Sequence, residues 1–170
     1  MRVTEIVIRL TCLISVLSFY PPNPCWAQAD DEDRGEFELA QQLVDWKTAF
    51  VKGDANKIAA MYAADDDTLV ILSNGKRISG INNIRQMYRA AFAEATFESI
   101  DVEELQIKRA GKMGCVTGRF KFNTVLKSDG SRWVLEIQST MVFAKELHGW
   151  KIQLEHSSTI HGIPRLVASD

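Results

Sequence analysis

From Thr96 onward the chain alternates apolar and polar residues almost without a break, and two turn signals dictate how its last three runs lie together. If Asp129-Gly130 is a two-residue loop, Ser128 pairs with Ser131. Phe122, Phe120, Gly118 and Val116 then face Ile137, Ser139, Met141 and Phe143. If Leu147-His148 is the next loop, Glu146 pairs with Gly149, and the same second row faces Ile152, Leu154, His156 and Ser158. Both turns select one apolar face, and a sheet with such a face must be covered by something else. The opposite face carries Arg119, Lys121, Asn123, Glu136, Gln138, Thr140, Gln153 and Glu155. In the preceding run, Phe97 to Arg109, the apolar phase changes between Val102 and Leu105, which predicts a bulge near Glu103-Glu104.

The cover comes from helices upstream. Leu39, Leu43, Trp46 and Phe50 recur at helical spacing, so residues 36–52 are expected to form an amphipathic helix stopped by Gly53. Asp54 caps a short second helix that turns Ile58, Met61 and Tyr62 inward, with Asp65-Asp66-Asp67 beyond its end. Thr68 to Leu72 and Lys76 to Ser79 read as a hairpin about Asn74-Gly75. A third helix carries Ile81, Ile84, Met87, Tyr88, Ala91, Phe92 and Ala95 on one side. The expected fold is α+β, a curved, cone-like antiparallel sheet packed on three N-terminal helices.

The N-terminus reads differently. Arg2 and Arg9 precede an apolar run from Leu10 to Tyr20, a proline-rich break and Ala27-Gln28-Ala29, the pattern of a secretory signal peptide over residues 1–29. The run is too short for a membrane helix, and no later segment is long enough, so no membrane contact is expected after cleavage. The destination is the periplasm or the outside of the cell. Cleavage removes Cys12 and Cys25 and leaves Cys115 as the single thiol, so no intramolecular disulfide is expected. Residues 30–35 form an acidic tail, 36–161 the domain and 162–170 a C-terminal extension. The formal net charge of −2 is not gathered into a basic stripe, which argues against nucleic acid as a partner.

The order helix, short helix ending in Met61-Tyr62-Ala63-Ala64-Asp65, hairpin with Gly75 and Gly80, helix, and long strands closing on Gly149-Trp150-Lys151-Ile152 and His156-Ser157-Ser158 resembles the nuclear transport factor 2-like superfamily. Within it the chain is most similar to the SnoaL-like domains of bacterial exported proteins. The resemblance covers residues 36–161. It implies a cone-shaped sheet with a pocket between its concave face and the helices, commonly in a homodimer. It leaves function open, because the superfamily holds isomerases, dehydratases, cyclases, hydrolases, transport adaptors and oligomerisation domains.

On the expected register no carboxylate enters the cone from the last three strands. The inward polar groups are His156, Ser139 beside it, Ser158, the hydroxyls of Tyr62 and Tyr88 and the indole of Trp46. His156 is the candidate general base, with Tyr62 or Tyr88 as a donor to a developing oxyanion. The plainer reading of His156 is a hydrogen-bonded structural residue, and that of Trp46 and Tyr62 is core. Trp46, Tyr62, Phe120, Ser139, Met141, Leu154, His156 and Ser158 are the expected pocket residues. Asp65 to Asp67 read as a loop rather than a metal site, and neither His148 nor His161 fits a zinc pattern. Neither metal nor cofactor is expected. Three functions stay open: a pocket for a small hydrophobic molecule; an isomerase, dehydratase or cyclase for a cyclic or polyketide-like substrate; and a dimerisation or interaction domain without a ligand.

Overall fold

Leu39, Leu43, Trp46 and Phe50 share one stripe of helix α1 (Cys25–Val51), and all four are buried. The structure, a computed structural model, describes residues 25–160 and 165–166. Most of the expected signal peptide and His161 therefore lie outside the described residues, while Cys25 to Ala29 open α1. The helix begins well before residue 36, so the acidic run expected as a solvated tail is helical. There Arg34 pairs with Glu38 one turn on, and the Arg109 side chain lies over Gly35. Gly53 has φ 67°, which lets the Asp54 N–H return to the Ala49 carbonyl and end the helix. The Asp54 carboxylate accepts the Lys57 N–H and caps α2 (Ala55–Ala59). Helix α3 (Ile81–Glu94) buries Ile84, Tyr88 and Phe92 at four-residue intervals.

The strands are β1 (Leu69–Ile71), β2 (Arg77–Ser79), β3 (Ala95–Ala110), β4 (Met113–Leu126), β5 (Arg132–Glu146), β6 (Gly149–Thr159) and β7 (Arg165–Leu166). They form one sheet in the order β2-β1-β6-β5-β4-β3, antiparallel except for β1 beside β6, with β7 added to β5 at Trp133 and Val134. The α+β cone expected from the sequence is the observed fold. The predicted bulge in β3 is present: pairing with β4 shifts between Glu103 and Gln106, and Glu104 adopts a left-handed φ of 52°.

Three turn or strand details differ from the sequence reading. Leu72 pairs with Lys76, so the first hairpin has three loop residues. Between β4 and β5 the loop is longer than Asp129-Gly130, because Leu126 bonds Ser131 across it. The pairing is displaced by two residues, to Phe120 opposite Ile137 and Val116 opposite Met141. A shift of two preserves the faces, so the apolar row remains inward. The third difference is larger. Glu146 pairs with Gly149 as expected, but between Phe143↔Ile152 and Val142↔Leu154 strand β6 carries one extra residue, Gln153. That single bulge turns the rest of β6 over.

Candidate functional site

The reversal decides the site. Beyond Gln153, Met141 faces Glu155 and Ser139 faces Ser157, and both β6 residues are buried. His156 pairs with Thr140 and is exposed, Ser158 is exposed, and Leu154 is half-buried opposite Val142. The expected inward placement of Leu154, His156 and Ser158 is therefore corrected, and the outward placement of Glu155 with it.

Glu155 is only 7% exposed, and its carboxyl is met by two phenols. Tyr62 arrives on the segment after α2, which is pinned to β6 by two backbone bonds: Ala63 N–H to Ile152 O, and Ile152 N–H to Met61 O, both 2.9 Å. Tyr88 arrives from the buried stripe of α3. The Tyr62 hydroxyl donates to Glu155 Oε2. The Tyr88 hydroxyl lies 2.7 Å from that of Tyr62 and 3.3 Å from the same carboxyl oxygen. Burial pushes the Glu155 carboxyl above its ordinary pKa, opposed by the hydrogen bonds from Tyr62 and Tyr88. Burial, and then the neighbouring Glu155, raise both phenols well above theirs, so they remain donors.

Beside this cluster lies a pocket of about 220 Å3 between the helices and the concave sheet face. Its lining is largely aromatic and aliphatic, including Trp46, Phe50, Phe97 and Phe122, with Ser73, Tyr88, Glu155 and Ser157 as polar groups. The Ser157 hydroxyl is held by Ser139, 3.2 Å away. The Trp46 indole N–H is buried without an acceptor in hydrogen-bonding geometry, although it lies close enough to Tyr88 to favour the ionised phenol.

Of the residues predicted for the pocket, Trp46 lines it and Tyr62 stands behind Glu155; Tyr88, expected only as a donor, lines it as well. Phe120, Ser139 and Met141 are buried in the adjoining core but do not line the pocket. Glu155 and Ser157 are the residues that sequence reasoning missed. One signal pointed toward them: two phenols at core positions of separate helical segments need a buried acceptor, and the expected inward face offered no carboxylate.

Among the described residues no cluster of His, Cys, Asp and Glu could hold a metal. Asp65 is committed to the loop instead, accepting from both the backbone N–H and the hydroxyl of Thr68 at 2.7 Å.

This sheet and its helices form a SnoaL-like domain: that family's model matches residues 39–162, and the chain belongs to the family. Among solved structures, a ketosteroid isomerase-like protein from Erwinia carotovora atroseptica is 17% identical, with TM-score 0.64 over 74% of this chain and 95% of that one. A nuclear transport factor 2-like superfamily protein from Salmonella enterica serovar Typhimurium is 17% identical, with TM-score 0.66 over 75% and 92%. A nuclear transport factor 2-like protein from Rhodospirillum rubrum is 21% identical, with TM-score 0.61 over 72% and 98%. At these identities the likeness establishes the fold. No curated protein matches the chain.

Proposed function

We propose that this domain binds a small, largely apolar molecule in the aromatic pocket, beside the carboxyl of Glu155. The observation that carries this reading is a buried carboxyl on the wall of an otherwise apolar pocket, braced by Tyr62 and Tyr88. A cavity of 150 Å3 in an engineered protein holds benzene, so about 220 Å3 admits one ring with a few substituent atoms. Native mass spectrometry of the protein from its own host should reveal a bound molecule that is lost in Ala91→Trp, a substitution that fills the pocket. Purification of the wild type with no adduct, and no uptake of toluene by it, would overturn the proposal.

A second reading, proton transfer, has its own support. With Tyr62 and Tyr88 directed at Oε2, the other carboxyl oxygen is the one left to exchange a proton with a ligand. The raised pKa makes the Glu155 carboxylate, once ionised, a stronger base toward a proton next to a carbonyl. The general base of this reading is Glu155; the exposed His156 drops out of it. Deuterium incorporation from heavy water next to the carbonyl of acetophenone, lost in Glu155→Gln, is the expected result. An undiminished rate in the variant would count against it.

The reading extends to export with loss of residues 1–29, and to a homodimer formed by the outer sheet face. That face is polar and partly ordered by its own contacts, with Arg119 reaching Glu104 at 3.0 Å and Thr117 reaching Thr140 at 3.1 Å.

A further inference from the structure

A second cavity, of about 430 Å3, lies between the β1–β2 hairpin and α3, and it shares Leu72 and Met87 with the aromatic pocket. The two spaces thus adjoin at these residues, the one lined mostly by buried side chains an inner chamber and the one at the exposed hairpin an outer vestibule. Their chemistry is opposite. The inner chamber carries the carboxyl of Glu155, whereas the vestibule carries Lys76 and Arg77 together with Ser79, Asn83 and Gln86, and no acidic residue lines it. Among the described residues neither Lys76 nor Arg77 forms an ion pair, so both charges remain available.

We infer that the ligand is an amphipathic anion, a one-ring or similarly compact apolar body with a carboxylate or comparable anionic group, whose body enters the chamber while its charge stays in the vestibule beside Lys76 and Arg77. This rests on the pocket reading above and adds the ligand's class and direction. The direction follows from the charges. An anion carried inward would be desolvated among phenyl rings and brought toward Glu155, whereas an anion left at the hairpin meets two cations in contact with water. Leu72 and Met87 would flank the part of the ligand that joins its two ends, and the unbranched thioether of Met87 can adjust to it.

The test is calorimetric titration of the full chain with phenyl-terminated carboxylic acids carrying from zero to four methylenes, each compared with the alcohol of equal length. At least one acid is expected to bind about tenfold more tightly than its alcohol at low ionic strength, an advantage that shrinks with added salt. The Lys76→Gln/Arg77→Gln double variant, which alters only exposed side chains, should lose that advantage and leave the alcohols unchanged. Alcohols that bind as tightly as acids at every length would overturn the anionic class while leaving the pocket reading in place. An acid preference that survives the double variant would overturn the role of the vestibule. If neither series binds, in the wild type or in the variant, the inference falls together with the pocket reading.

Discussion

Replacing Tyr62 by Phe isolates the contact on which the site depends. The ring stays in a position that is 2% exposed, so packing is preserved, and only the hydroxyl shared between Glu155 and Tyr88 is removed. Glu155 then retains the longer contact from Tyr88 at 3.3 Å. When Glu155 is protonated, the lost bond joins two neutral groups and should cost about 0.5–1.5 kcal/mol; when it is ionised, about 1.5–3 kcal/mol. The penalty should therefore grow with pH. Burial raises the folded-state pKa of Glu155, so its contribution is fully present below the unfolded value of 4.5 and declines as pH rises toward the folded value. Tyr62 holds that folded value down, and its loss widens the window. Denaturant unfolding at about pH 4 and about pH 8 measures the difference directly. His156→Ala, at an exposed position, is the control and should fall within about 0.5 kcal/mol of wild type at both. A Tyr62→Phe penalty equal at the two pH values, or smaller than that of His156→Ala, would refute the Glu155 cluster.

Three further outcomes are expected. In Gly114→Ala the new β-carbon would lie 2.6 Å from a methyl of Leu39, itself fully buried, so thermal unfolding should report a loss of about 1–3 kcal/mol from overpacking. Protein recovered from the envelope of its host should begin at or near Asp30, and terminal sequencing that finds Met1 intact would replace export with anchoring. Sedimentation at micromolar concentration should show a dimer that Arg119→Glu dissociates, since the substitution places an acid beside Glu103 and Glu104; a wild-type monomer would remove the outer face as an interface.

What the sequence determined by itself was the fold and most of its faces. Helical spacing of Leu39, Leu43, Trp46 and Phe50 and alternation along β4 and β5 are local periodicities, and each makes its own demand for burial. Even the β3 bulge left a visible mark, because the apolar phase changes across it at Glu103-Glu104. The two-residue displacement between β4 and β5 did no damage, since an even shift keeps each side chain on its own face. The bulge at Gln153 was hidden for the opposite reason. Trp150, Ile152, Leu154 and His156 alternate without a break, so nothing local signals the reversal. Only tertiary structure brings Tyr62, Tyr88 and Ser139 to the inner side of β6, where they satisfy Glu155 and Ser157. A carboxyl can enter an apolar interior once donors from two separate segments are waiting for it, and alternation along a single strand carries no information about those donors.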